Sequence, residues 1–516
     1  MCGILFTTER REFTDEEIDA IEHRGLRYSE YNDRRFSLGV WRLPTIDLDT
    51  SADQPFVWDK YVVGFNGNIY NYRELRERLK KHGYSFKTES DTEVLIKWFD
   101  HCRPNYTEFF RGLDGDYAFV IVDRSANSVF IAVDPLSFKQ LYFRAHGNRL
   151  LYVASECKPI LQSMDKVREE IMFRDSVNLW GFSLLPLTPF EGILKIPSSA
   201  VLLGDLTNRK FSLFQRNELR YVIRKYKYVR GLSEKELVKL LRSKIYETIR
   251  LRAVTDQDLV IPLSGGIDSS IVAYVCSNLD LDVKVSAVNI KFRNRDYDES
   301  EYARMVAQEF GLKLHEIVTK SRLDLGELVY YYENYSDKGG VIPEFAVHHA
   351  IKKVGLGISV LSGDPADELF GGYKRIRAES REELIKYLLR KNIDTDVDKW
   401  YVDLVLHLMP SNDVEEARIW WDYIETIYYN FPKKDRASMA YTLDSRAAYY
   451  SKDLWGIAWN IDRSFKYHDG IRKYILRKAF EDVLPKEIVW REKVPFKYPG
   501  YKDIDMYKIF KEVFTR

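Results

Sequence analysis

The sequence predicts a sheet-rich α+β domain over residues 1–205, then an α/β domain with a parallel sheet and a helical C-terminal part over 233–516, joined by 206–232. Three observations predict this. Short apolar runs broken by Asn, Asp, Ser and Gly fill the first part. The stretch RYVIRKYKYVRG (220–231) changes the character of the chain to basic and tyrosine-rich. From residue 256 onward, strand-like and helix-like segments alternate.

In the first part, YVVGFNGNIYN (61–71), DYAFVIVDRSANSVFIAVD (116–134) and NRLLYVASE (148–156) read as strands punctuated by turns. NYRELRERLKKHG (71–83) reads as a helix, with Leu75 and Leu79 at i,i+4 and Gly83 as its stop. SEKELVKLLRSKIYETIRL (233–251) starts an amphipathic helix with Ser233 and Glu236 as a capping box. DLVIPL, a helix over 268–279, VKVSAVNI, a helix over 298–310, LHEIV, a helix over 344–354 and GISVLSG then follow. Such an order places ligands at the carboxyl ends of parallel strands. Residues 376–516 read as helical, most clearly in DVEEARIWWDYIETIYYNF and GIRKYILRKAFEDVL.

Composition excludes several classes. With 79 Lys+Arg against 78 Asp+Glu, the formal charge is +1, so nothing global argues for nucleic acid or an anionic membrane surface. The basic run at 220–231 is read as a solvated linker or interdomain contact. Four scattered cysteines form neither a disulfide framework nor a zinc spacing. There is no apolar leader and no run of membrane-spanning length, so a cytoplasmic protein is expected.

PLSGGIDSS (262–270) joins an apolar strand to a helix. A turn of this kind aims backbone N–H groups and the positive end of a helix at one point, which suits a phosphate. A plain βα turn would use the same glycines and capping serines. Asp268 adds a carboxylate where a phosphate-bound Mg²⁺ would need an oxygen ligand. A second acidic, glycine-bearing strand end, LSGDPADELFGGY (361–373), is expected to face the same pocket. At the other end of the chain, Cys2 follows the initiator Met. Removal of that Met would place a thiol beside its own α-amino group, a base with a pKa of about 7.7–8.0.

Company makes these features specific. HRG (23–25), WRLPTID (41–47), QP (54–55), GFNGNIYNY (64–72) and ESDTEV (89–94) occur in that order, and with them the N-terminal part resembles a class II glutamine amidotransferase domain, an N-terminal-nucleophile hydrolase. PLSGGIDSS resembles the pyrophosphate-binding loop of ATP pyrophosphatases. Together with LSGDPADELFGGY, DRASMAYTLDSR (435–446) and RKYILRKAF (472–480), it makes the second half similar to the asparagine synthetase B family. The resemblance implies a sandwich of antiparallel sheets between helices, followed by an ATP-pyrophosphatase domain.

It also implies roles. Cys2 would attack the glutamine amide, with Asn66 and Gly67 as the oxyanion hole. Arg42 would hold the glutamine α-carboxylate, and Asp91, with Asn68 beside it, the α-ammonium. Ser264, Gly265, Gly266, Asp268 and Ser269 would hold ATP phosphates; Leu263, Val288, Ser362 and Gly363 would line the adenosine. Asp268 and Asp367 would bind Mg²⁺, Lys473 would steady charge at the reacting carboxyl, and Asp364 would act as general base. The implied partners are glutamine and a carboxylate acceptor, aspartate first, with a homodimer allowed for and no nucleic acid or membrane. The alternative acceptor is a sugar acid or a peptide side chain. A glutaminase or scaffold with an inert second half is disfavoured by Asp268, Asp367 and Lys473, and an RNA-modifying enzyme by the net charge.

Three positions depart from the family pattern. Asn68 stands where the family commonly has Glu, Asp364 replaces a Glu one methylene longer, and Ala447-Ala448-Tyr449-Tyr450-Ser451 replaces a hydrophobic residue followed by PFLD near the acceptor side.

Overall fold

A computed structural model describes residues 2–9, 11–292, 298–319, 323–389, 393, 395–408, 413–492 and 504–514. Part of the tail read as helical, 493–503, lies outside them.

Twelve strands of the N-terminal part join in one antiparallel network. They are β1 (Cys2–Thr7), β2 (Arg27–Asn32), β3 (Ser37–Arg42), β4 (Phe56–Trp58), β5 (Tyr61–Ile69), β6 (Gly115–Asp123), β7 (Ser128–Val133), β8 (Tyr142–His146), β9 (Arg149–Ala154), β10 (Ile193–Lys195), β11 (Ala200–Asp205) and β12 (Lys210–Gln215). Their order is β2-β3-β1-β9-β12-β11-β7-β6-β5-β4, with β8 on β9 and β10 on β8. The network doubles back so that β3 faces β5: a Cβ on Gly64 would lie 3.1 Å from Leu38 and 3.2 Å from Val40. Ile4, Phe6, Leu38, Val62, Val120 and Leu202 fill the space between the two faces. The helices Tyr72–Lys81 and Asp91–Cys102 cover the outer face, on which Val63, Phe65, Leu75, Leu79 and Trp98 pack.

Strand alternation follows from this packing. Cys2 shares a face with Ile4 and Phe6, while Asn66 and Asn68 share a face with Val62 and Gly64. Both sets point into the sandwich, so the thiol and the asparagines meet at one end of it. β12, the helix Glu218–Lys225 and a 3-10 turn at Lys227–Gly231 lie within 206–232, so the sheet runs further along the chain than its apolar pattern indicates.

Five parallel strands form the second sheet: β13 (Leu259–Pro262), β14 (Val285–Phe292), β15 (Lys313–Thr319), β16 (Ser359–Ser362) and β17 (Asp444–Ala447). The order is β15-β14-β13-β16-β17. The capping box forms at Ser233, and the helix Glu234–Arg252 follows it. The strand β17 is a correction, since its sequence falls in the stretch read as helical. Its four residues, Asp-Ser-Arg-Ala, are too short and polar to signal a strand, and pairing with the edge of β16 creates it.

The two parts pack closely. Arg24 pairs with Glu156 at 2.8 Å and Asp435 at 3.0 Å, and Arg436 pairs with Glu156 at 2.7 Å and Glu333 at 2.8 Å. These groups are buried, so each charge depends on its partner. All four cysteines are buried and unpaired. Among the described residues, no helix is long and apolar enough to cross a membrane.

Candidate active site

β1 ends the sandwich at Cys2, opposite Arg42 in the pairing register. The Cys2 backbone N–H donates to Asn66 Oδ1 at 2.9 Å. Asn66 is fully buried, and among the described residues its Nδ2 has no hydrogen-bond partner. A buried amide donor left unpaired is unfavourable, by about 1–3 kcal/mol. Directed at a charge that develops during reaction, it becomes useful. The next residue, Gly67, has φ +138°, and a Cβ there would lie 2.1 Å from the Asp116 carbonyl oxygen, so only glycine fits.

Asp91 opens the helix Asp91–Cys102 after the cap Ser90 and accepts from the Ile69 N–H at 3.0 Å. Burial pushes its carboxyl up to about 6. Arg42 donates to Asp53 Oδ1 at 2.8 Å, to the Asp49 carbonyl at 2.9 Å, and to the carbonyls of Ile46 and Asp47. Asn68 makes its contacts elsewhere: Arg446 Nη2 donates to its Oδ1 at 3.0 Å, and its Nδ2 lies 3.5 Å from Asp444 and 3.4 Å from Asp116.

Two residues absent from the sequence-based site set join this pocket. Gln54 lies 3.8 Å from Cys2 Sγ through Nε2, and its Oε1 accepts from the Phe65 N–H at 2.6 Å. Arg24 donates to the Cys2 carbonyl at 3.3 Å. Both belong to quoted motifs, QP and HRG, but Gln54 is a neutral amide and the one arginine role, at the glutamine α-carboxylate, was given to Arg42, so residue type alone gave them no role.

In the second part, β13 runs into Leu263–Gly266 and the helix Ile267–Ser277. Gly265 has φ +68°, and a Cβ there would sit 2.5 Å from Tyr302 Cβ, so the loop passes too close to a neighbouring helix for any side chain. Ser264 Oγ accepts from the Gly266 N–H at 3.2 Å, and Ser269 Oγ donates to the Gly266 carbonyl at 3.2 Å. Leu263 and Val288 are buried side by side, with the Leu263 N–H donating to the Val288 carbonyl at 2.8 Å. Asn289, also absent from the site set, donates to the Leu263 carbonyl at 2.8 Å.

The two strand-end loops meet. A Cβ on Gly363 would lie 3.0 Å from Asp268 Cβ. Lys473 bridges Asp268 at 2.5 Å and Asp367 at 2.6 Å, and is itself buried. It holds φ +58°, a left-handed conformation that places its side chain between the two carboxylates at the start of the helix Tyr474–Phe480. Two carboxylates beside a turn that converges backbone N–H groups fit Mg²⁺, which takes one or two protein carboxylates and completes its shell with water and phosphate oxygens. Asp364 follows Ser362, whose Oγ donates to Asp364 Oδ2 at 2.8 Å. Desolvation raises this half-exposed carboxyl, but Lys434, the Ser362 hydroxyl and Lys433 together outweigh it and hold it below the usual range. The segment after β17 closes the site, as the Tyr449 N–H donates to the Asp364 carbonyl at 2.9 Å and the Tyr449 hydroxyl to the Asp268 carbonyl at 3.1 Å.

Residues 240–514 match the asparagine synthase family model, and residues 1–214 match a glutamine amidotransferase domain. The chain is 27% identical to asparagine synthetase (glutamine-hydrolyzing) 1 of Bacillus subtilis, over 97% of this chain and 87% of that one. It is 30% identical to putative asparagine synthetase (glutamine-hydrolyzing) 2 of Methanocaldococcus jannaschii, over 72% and 76%. With amidase chry2 of Gibberella zeae it shares 30% identity over 71% of this chain and 56% of that one. The chain is an enzyme of the asparagine synthase family, with a glutamine amidotransferase domain ahead of its asparagine synthase domain.

Proposed function

We propose that the chain is a cytoplasmic glutamine-dependent asparagine synthetase, with residues 1–205 releasing ammonia, residues 233–516 consuming it, and 206–232 joining them. The observation that carries this reading is the Lys473 bridge between Asp268 and Asp367, built at converging strand ends in a chain that also buries Cys2 against Asn66.

In the first site, loss of Met1 turns the Cys2 nitrogen into an α-amine that takes the thiol proton. The sulfur attacks the glutamine side-chain carbonyl, and Asn66 Nδ2 with the Gly67 N–H meets the oxyanion. Ammonia leaves, and water releases glutamate from the thioester. Arg42 and Asp91 hold the glutamine carboxylate and ammonium.

In the second site, the Ser264–Ser269 turn binds ATP phosphates, and Leu263, Val288, Ser362 and Gly363 line the adenosine. Asp268 and Asp367 would hold Mg²⁺, which when bound neutralises phosphate charge. The aspartate side-chain carboxylate attacks the α-phosphorus, pyrophosphate leaves, and Lys473 steadies the charge. Ammonia then attacks the acyl-adenylate, Asp364 takes its proton, and AMP departs.

The test is a pyrophosphate-release assay with ATP, Mg²⁺ and glutamine over a panel of carboxylates. Aspartate-dependent release with asparagine as product supports the reading. Release with another acid only removes aspartate, and no release with any acid removes the ligase assignment.

A further inference from the structure

Between the two parts lies a cavity lined by none of the residues that the reactions above use. From the first part, β10 brings Lys195 to it, and the segment before β8 brings Gln140. From the second, Glu333 follows the helix Leu325–Tyr332, and Arg436 comes from the helix Phe431–Met439. The cavity offers about 40 Å³ to the centres of water molecules, room for about three of them.

Two donors at this space lack acceptors. Lys195 is 6% exposed and makes one hydrogen bond, from Nζ to the Ile427 carbonyl at 2.7 Å. Among the described residues, no carboxylate lies within 4.0 Å of it. An ammonium carries three N–H groups, so most of its donor capacity is unused. The Tyr428 ring, with its centroid 5.3 Å from Nζ, answers only part of the charge. Gln140 is 2% exposed; its Oε1 accepts from the Tyr142 hydroxyl, and among the described residues its Nε2 has no hydrogen-bond partner. Buried donors left unpaired are unfavourable, and one acceptor group in the space they share would satisfy both.

The charge balance points the same way. Among the described residues, two cations and one carboxylate line the cavity. That carboxylate, Glu333, is already held by Arg436 at 2.8 Å, by Lys158 Nζ at 3.3 Å, and by the N–H groups of Cys157 and Lys158 at 2.8 and 2.6 Å. Burial raises the Cys157 thiol and the Tyr142, Tyr332 and Tyr428 hydroxyls, which keeps all four neutral. Burial, with the Arg436 charge adding to it, pushes the Lys195 amine down to about 7, although Asp134 and Asp435 pull it upward. Lys195 is thus a buried cation without a countercharge.

The geometry points to this cavity as the site of one small monovalent oxyanion, held by Lys195 Nζ and Gln140 Nε2 at the boundary between the two parts. Its room excludes a nucleotide and suits an ion of the size of formate, nitrate or bicarbonate. One uncompensated cation matches one negative charge, and a dianion would bury an excess. The anion would extend a chain of ion pairs that reaches the first site: Arg436 pairs with Glu156, Glu156 with Arg24, and Arg24 donates to the Cys2 carbonyl. The inference goes beyond the synthetase reading and uses no step of it.

Titration of the full chain with ¹³C-labelled formate, read by the ¹³C line width near pH 7 at constant ionic strength, tests it. The wild type should show one saturable site. Nitrate and bicarbonate should displace the formate, and sulfate should do so at least tenfold less well. Lys195→Met should weaken formate binding at least tenfold, and Gln140→Leu at least threefold. Circular dichroism checks that both variants fold. The wild type alone carries a further test: above about pH 7 its affinity should fall about tenfold per pH unit, because each anion must then bring a proton to the amine. No saturable site, sulfate displacing as well as nitrate, an affinity flat from about pH 6 to about pH 9, or binding unmoved in both folded variants would overturn the proposal. Loss in one variant alone overturns the assignment of the other residue.

Discussion

Around Cys2, strand register and neutral amides hold the polar groups in place, whereas around Lys473 charges brought from three distant segments do so. Asn66 reaches the Cys2 backbone N–H because alternation on β5 points its side chain into the sandwich, where β1 begins. Asp268, Asp367 and Lys473 share no strand or helix; they meet because parallel strands end together and opposite charges pair at 2.5 and 2.6 Å. The difference teaches how each site should fail. Losing a neutral donor in the first removes one interaction and leaves the frame, while losing a charge in the second leaves its partner buried and uncompensated.

The largest expected effect breaks the comparison outright. Cys2→Ala should abolish glutamine-dependent amidation and leave ammonia-dependent amidation, because the thiol belongs to the first frame only. Assays with glutamine and with ammonium salts decide it, and equal loss with both would end the division of labour. Next, Asn66→Ala should lower glutaminase kcat by about 10²–10³-fold with little change in KM, the signature of a donor used in the transition state. A KM effect alone would reassign Asn66 to substrate binding.

Asp268→Asn should then slow aspartate-dependent pyrophosphate release about 100-fold, or about 2.7 kcal/mol, while glutamine hydrolysis persists. Circular dichroism checks the fold, and normal ATP turnover in a folded variant would remove Asp268 from the phosphate site.

The smallest effect sharpens the first frame. Burial places the Asp91 carboxyl at about 6 rather than its ordinary 3.8. The substrate ammonium needs the ionised form, so glutaminase kcat/KM should fall about tenfold per pH unit below about pH 6 and level off above it. The sign for stability is opposite: the protonated form favours the fold, so this contribution is full below about pH 4 and is lost as pH rises through about 6. Asp91→Asn should flatten the activity profile, and a step that survives the substitution belongs to another group.

Much of the architecture was legible because it is local. Leu75 and Leu79 at i,i+4, the Ser233 capping box and the alternation of strand and helix after residue 256 each follow from short-range periodicity. The residues singled out at 262–270 do lie at a strand end, with Gly265 pressed against Tyr302. β17 was not legible, since a four-residue polar strand exists only because β16 offers an edge. Gln54 was passed over because a neutral amide gains its meaning only from the thiol beside it.

By itself, then, the sequence determined the two fold classes and the turns that aim backbone groups at one point, consequences of short-range periods and turn residues acting within a segment. Tertiary structure decided the rest. Asn68 faces Arg446 and Asp444 across the boundary between the two parts, and Arg24 reaches Asp435. Lys434 settles between Asp364 and Glu344. No periodicity encodes these pairs, because each joins side chains far apart along the chain whose charges find one another only after both frames have packed and excluded water.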